Sequence, residues 1–102
     1  MKLSIIIPHH NGKKLLHDCL QSIYDNISID NFEIIVVDNL STDNSADEAK
    51  NNFPSIILLK SEKNLGYSGG CNLGAKNAAG EYVIFLNNDT LHTKKWIEEL
   101  VN

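Results

Sequence analysis

The chain has 102 residues, a net charge of −4 and a hydrophobic fraction of 42%, which makes one small domain able to bury roughly two-thirds of its unfolded surface. The acidic balance argues against a nucleic-acid binder that relies on a broad basic patch. No apolar run approaches the roughly 20 residues of a membrane span, and Met1-Lys2 runs straight into a strand-like stretch rather than a signal peptide. The default expectation is a cytoplasmic protein, with a peripheral position at the inner face of the membrane as its variant.

Residues 3–7 read as a first strand closed by Pro8, which has no N–H for a ladder, and His9-His10-Asn11-Gly12 as a loop. From Lys13 the period changes. Leu16, Leu20, Ile23 and Ile27 recur at helical spacing with Leu15 and Cys19 beside them, and the helix should end between Asn26 and Ile29. Phe32 to Val37 is a second strand, continuous rather than alternating, that stops at Asp38-Asn39. Ser45 with Glu48 fits a capping box opening a second helix, with Ala46, Ala49 and Phe53 on its inner face. Ser55 to Leu59 is a third strand. A glycine stretch, residues 64–74, then leads into an Ala-rich helix ending near Ala79, with Gly80 as its cap. Tyr82 to Leu86 is an apolar run dense enough for a strand buried on both faces, ending in Asn87-Asn88-Asp89. A last helix runs from Thr93 to Val101 with Trp96, Ile97 and Leu100 inward.

Strands alternating with helices predict an α/β fold: a Rossmann-like three-layer sandwich with a mainly parallel sheet of about four strands and right-handed crossovers. In such a sheet the polar strand ends at Pro8 to Gly12, Asp38-Asn39 and Asn87 to Asp89 open onto one edge, where ligands bind. The glycine stretch enters a helix from that edge, and free N–H groups there favour an anion. A carboxylate at Asp89 is a hard oxygen ligand for Mg²⁺ or Mn²⁺. All nine basic residues are Lys, so a diphosphate must rely on Lys, backbone N–H groups or a metal rather than on bidentate guanidinium groups. Cys19 and Cys71 lack metal-ligand spacing and read as small buried hydrophobes. A dinucleotide fold would want G-x-G-x-x-G after the first strand, where this chain has Pro8-His9-His10-Asn11-Gly12. Gly12-Lys13-Lys14 lacks the hydroxyl and the upstream glycine of a P-loop. A receiver or flavodoxin-like domain would explain Asp38 but not the glycine stretch.

Four blocks carry a resemblance: Ser4-Ile-Ile-Ile-Pro8-x-x-Asn11, Ile35-Val-Val-Asp38-Asn39-x-Ser41-x-Asp43, Asn64-x-Gly66-x-x-x-Gly70-x-Asn72 and Leu86-Asn-Asn-Asp89-Thr90. In this order they resemble family 2 glycosyltransferases of the GT-A fold, most closely the rhamnosyltransferase-like branch that builds bacterial surface polysaccharides. The resemblance implies a nucleoside diphosphate sugar as ligand, a UDP- or dTDP-sugar. Pro8, His10 and Asn11 would flank the base, His10 standing where the family often has an aromatic ring. Asp38, with Asn39 beside it, would accept a hydrogen bond from the pyrimidine N3–H. Asn64, Gly66 and Gly70 would line the donor site. Asn87 and Asn88 precede Asp89 at the position of the family's Asp-x-Asp motif, and Asp89 would contact the Mg²⁺ or Mn²⁺ bridging the phosphates. Asn87 replaces the first Asp, an uncharged and weaker partner.

The plainer structural readings are an exposed loop imidazole for His10, a turn-capping carboxylate for Asp38 and glycines needed for helix packing at Gly66 and Gly70. The implied reaction is inverting transfer of the sugar to an acceptor hydroxyl of a glycan or lipid-linked saccharide. It needs a stabilised leaving diphosphate and a base for the acceptor. In the family that base lies well beyond the Asp-x-Asp position, and Glu98 and Glu99 read as solvated charges on a helix. No catalytic residue is therefore expected within the chain, and the base is expected beyond Asn102. Residues 1–102 are accordingly expected to be a single domain, the donor-binding half of a longer enzyme, inactive alone. The surface a second half would cover is expected to expose apolar side chains and favour self-association. The alternative is a non-catalytic binding or interaction module on the same scaffold.

Overall fold

The computed structural model describes residues 2–27 and 30–87. Strands β1 (Leu3–His9), β2 (Phe32–Asn39), β3 (Ile57–Ser61) and β4 (Tyr82–Phe85) alternate with helices α1 (Lys13–Asn26), α2 (Ser45–Asn52) and α3 (Gly66–Lys76). The final predicted helix lies outside the described residues, as do Asn88, Asp89 and the chain end at Asn102, beyond which the catalytic base is expected. All strand pairs are parallel and the sheet order is β3-β2-β1-β4. The chain steps outward from β1 to β3, then returns across β1 to β4. Crossovers of one hand fall on one face going out and on the other coming back. Accordingly Leu16, Cys19, Leu20 and Ile23 of α1 and Ala49 of α2 pack with Leu3, Ile5, Ile7, Ile34 and Val36. Leu73 of α3 packs on the opposite face with Ile6, Ile35 and Val37. The three-layer α/β sandwich is as expected.

The continuous apolar runs of β1 and β2 are buried on both faces: Ile5, Ile6 and Ile7 are each 0% exposed. β4 differs. It pairs only with β1 among the described residues, α3 packs over β1 and β2, and Tyr82, Val83 and Phe85 stay exposed. An unbroken apolar run therefore did not identify a central strand here; only Leu86, just beyond it, is buried.

Pro8 does not close β1, which continues to His9 with Pro8 opposite Val37. The carbonyls of Lys2 and Ile6 accept N–H groups of the β4 segment, Tyr82 at 3.2 Å and Leu86 at 2.9 Å. In a parallel ladder the even-numbered residues of β1 thus turn their main chain toward β4. The missing N–H of Pro8 falls on that side, past the last β1–β4 pair at Ile6 and Phe85, and removes no bond to β2.

Other boundaries move for identifiable reasons. The third strand lies two residues later than its composition suggests, because Ile56 closes a turn onto the Phe53 carbonyl at 3.1 Å. The capping box does not form. Asn44, at φ 63°, is the N-cap without a side-chain bond, Asp43 Oδ1 takes the Ser45 N–H at 3.0 Å, and Glu48 pairs instead with Lys13 at 3.5 Å. The glycine stretch does not precede a helix; most of it is the helix. A Cβ on Gly70 would stand 3.0 Å from Pro8 Cβ, and one on Gly74 would press into Ile6 Cγ2. The two glycines, one turn apart, let α3 lie close on the sheet. Gly80 is not its cap: α3 ends at Lys76 with Asn77 following, and the Gly80 N–H donates to Ser4 Oγ at 2.8 Å.

Candidate functional site

At the carboxyl ends of β1 and β2 the start of α3 closes an open cavity of about 250 Å³ lined by Pro8, His9, His10, Asn39, Asn64, Gly66 and Tyr67. Five expected residues meet there: Pro8, His10, Asn39, Asn64 and Gly66. His10 Nδ1 donates to the Asn39 carbonyl at 2.5 Å. Asn64 Oδ1 accepts the Gly66 N–H at 2.9 Å in an Asx turn. Gly66, at φ 72° with open space where a Cβ would be, is needed for its backbone conformation rather than for packing. Tyr67 and His9 were missed. The signal for Tyr67 is an aromatic set among glycines and left half exposed; for His9 it is only adjacency.

Of the other expected residues, Asn11, Asp38 and Gly70 stand behind or beside the walls, and Asn88 and Asp89 lie outside the described residues. Asn11 knits two loops: its N–H donates to Ser41 Oγ at 2.9 Å and its Oδ1 accepts the Thr42 N–H at 2.8 Å. Asp38 is buried at the end of β2, and its Oδ1 accepts the Ser41 N–H at 3.1 Å, the turn-capping role. Among the described residues Oδ2 takes no hydrogen bond. Gly70 backs the wall, against Pro8 and Asn39. Asn87 is exposed beyond β4, its carbonyl 3.9 Å from Cys19 Sγ. Both cysteines are buried and neither is in a disulfide, in keeping with the sequence reading.

Behind the cavity, the loop after β2 is held by charge. Asp43 accepts from Ser45, through its hydroxyl and N–H, and from the Gly12 N–H, which lower its carboxyl to about 2. Buried His9 faces Ser45 Oγ at 2.6 Å. Burial lowers its imidazole's pKa, against the pull of Asp38 and Asp43 and with a small push from His10. Among the described residues neither Lys nor Arg lines the cavity, so an anion there relies on α3, whose first-turn N–H groups after Gly66 have no partner within the helix. No group of three or more His, Cys, Asp or Glu able to hold a metal ion occurs among the described residues, and Asp89 lies outside them. No helix among them is long and apolar enough to cross a membrane.

A parallel sheet with a polar crevice at its carboxyl edge and a glycine-containing helix start beside it is the layout of an open α/β domain, in which that edge is where ligands sit. Residues 4–102 match the model of glycosyl transferase family 2, and the chain belongs to that family. It is 35% identical over 94 residues to the poly(ribitol-phosphate) beta-glucosyltransferase of Bacillus spizizenii, covering 87% of this chain and 15% of that protein. It superposes on S. aureus TarS 1-349 in complex with UDP-GlcNAc with a TM-score of 0.84 and 30% identity, over 98% of this chain and 30% of that one. With the mannosyltransferase PcManGT of Pyrobaculum calidifontis, in complex with GDP-Man and Mn²⁺, the TM-score is 0.77 and the identity 26%, over 87% and 28% of the two chains. The chain thus spans less than a third of the length of each.

Proposed function

We propose that residues 1–102 form the donor-binding half of a glycosyltransferase, taking a UDP- or dTDP-sugar. The observation that carries this reading is the cavity built from the β1 and β2 ends and the start of α3, in a chain so similar to a UDP-GlcNAc complex. The base sits beside His10, with Asp38 Oδ2, which takes no hydrogen bond among the described residues, accepting the pyrimidine N3–H. The diphosphate lies toward the first N–H groups of α3. Asp89, with Asn87 and Asn88 before it, holds Mg²⁺ or Mn²⁺. A divalent cation there neutralises the leaving diphosphate, in a chain that has no Arg to do so; the Mn²⁺ in the PcManGT complex supports this choice.

The transfer inverts the sugar onto an acceptor hydroxyl of a surface glycan or lipid-linked saccharide, on the cytoplasmic side. The catalytic base and acceptor site belong to a further segment beyond Asn102, so the 102 residues alone turn over little or no donor. Exposed Tyr82, Val83 and Phe85 support self-association of this half, which light scattering reads directly; a monodisperse monomer at high concentration refutes it.

Calorimetry with UDP and dTDP, with and without Mn²⁺, tests the donor site. Binding is expected to depend on Mn²⁺ and to weaken by about tenfold or more in Asp89→Ala. Absent or metal-independent binding overturns the reading in favour of a non-catalytic module.

A further inference from the structure

Three polar groups of Asn39 tie together separate stretches of chain. Its carbonyl accepts from His10. Its side-chain Oδ1 accepts the Leu65 N–H at 3.4 Å, and its Nδ2 donates to the Gly66 carbonyl at 3.2 Å. The residue is 3% exposed, so bulk water does not replace a lost partner there. Nothing crowds Gly66, whose Cβ direction is open; its left-handed conformation is held by hydrogen bonds, from Asn64 on one side and Asn39 on the other.

We infer that Asn39 is a positioning residue: its side-chain amide, acting through Leu65 and Gly66, holds the start of α3 and Tyr67 against the β2 end and sets the width of the ligand cavity. This rests on the nucleotide reading above but assigns Asn39 a different part in it, as a brace and not as a ligand contact. The chemistry requires an amide. One atom must accept while its neighbour donates, which a carboxylate of the same shape cannot do. In Asn39→Asp one oxygen faces the Leu65 N–H correctly and the other is set against the Gly66 carbonyl. Protonating that carboxyl restores a donor, so the defect is reversible by acid.

The test compares wild type, Asn39→Asp and Asn39→Ser by UDP calorimetry with Mn²⁺, and by amide hydrogen exchange at Leu65. At neutral pH, Asn39→Asp is expected to bind UDP about tenfold more weakly and to exchange the Leu65 N–H faster. As the pH falls toward about 5 its affinity returns toward that of wild type at the same pH. Asn39→Ser, too short to reach both partners, shows the same losses without acid recovery, and serves if the Asp variant does not fold. Wild-type affinity in both variants overturns the inference. So does weaker binding with unchanged Leu65 exchange and no acid recovery, which would make Asn39 a direct contact. If wild type binds no UDP, the nucleotide reading fails, and Leu65 exchange alone then decides whether Asn39 braces the α3 start.

Discussion

On one face of the sheet, α1 and α2 bury Leu16, Cys19, Leu20, Ile23 and Ala49 over Leu3, Ile5, Ile7, Ile34 and Val36. On the other, α3 meets Ile6, Ile35 and Val37 with Gly70 and Gly74 turned to the sheet. The first face holds the domain together by volume. The second gives up that volume for proximity, which is what brings the first turn of α3 to the strand ends and makes a cavity there. Stability is concentrated on the branched and leucine side, and the candidate site on the glycine side.

The sharpest way to break this division is Leu20→Ala, at a position 0% exposed in the larger core. Removing a fully buried leucine is expected to cost about 2–5 kcal/mol, a large part of the stability of a domain of this size. Urea unfolding followed by circular dichroism measures it. A loss near zero would mean that the two faces share the load.

Gly74→Ala tests the other face and should cost less. Its Cβ would press into Ile6 Cγ2 and approach Val37 Cγ2 to 3.3 Å, an overpacking of about 1–3 kcal/mol. The better helix propensity of alanine, worth roughly 1 kcal/mol, offsets part of this. Combining it with Ile6→Ala should give a loss smaller than the sum of the two, because each change relieves the other. Strict additivity would show that α3 does not bear on Ile6.

The same division explains what could be read from residues alone. Continuous runs such as Ile34 to Val37 announce doubly covered strands, and the α1 spacing of Leu16, Leu20 and Ile23 announces a buried stripe; both hold. A run like Tyr82 to Phe85 carries the same signature at a sheet edge, since periodicity reports side-chain chemistry and not the number of neighbours. The α3 boundaries differ from the sequence expectation because glycine propensity argues against helix, whereas here the close approach to Pro8 and Ile6 requires it. Motif spacing brought Pro8, His10, Asn39, Asn64 and Gly66 to one cavity. It did not separate residues that face the cavity from those, such as Asn11 and Gly70, that hold its walls. That distinction depends on contacts far apart in sequence, the Asn11 hydrogen bonds to Ser41 and Thr42 and the seat of Gly70 against Pro8 and Asn39, which no local pattern encodes.

The smallest effect expected is on acid stability, and it should split into two steps on opposite faces. His9, beside Ser45 behind the larger core, has its pKa lowered from 6.5, chiefly by burial. The unfolded chain then takes up a proton that the folded one resists, so its contribution is complete above 6.5 and is lost as the pH falls through the lower folded value. Glu33 lies toward α3. Burial pushes its carboxyl up, but hydrogen bonds from Ser4 Oγ at 2.6 Å and the Ala79 N–H at 2.7 Å, with the charge of Lys2, outweigh it and leave the pKa below 4.5. Its contribution is present above the unfolded value and disappears as the pH falls through the folded one. Asp43, lowered from 3.8 to about 2, loses its own in the same acid range, so the steps must be assigned by substitution. His9→Gln should flatten the urea midpoint between about pH 7 and 5 and leave the acid limb, while Ser4→Ala should soften the acid limb alone. If Ser4→Ala flattens the upper step instead, the two networks are coupled through the sheet and the faces are not independent.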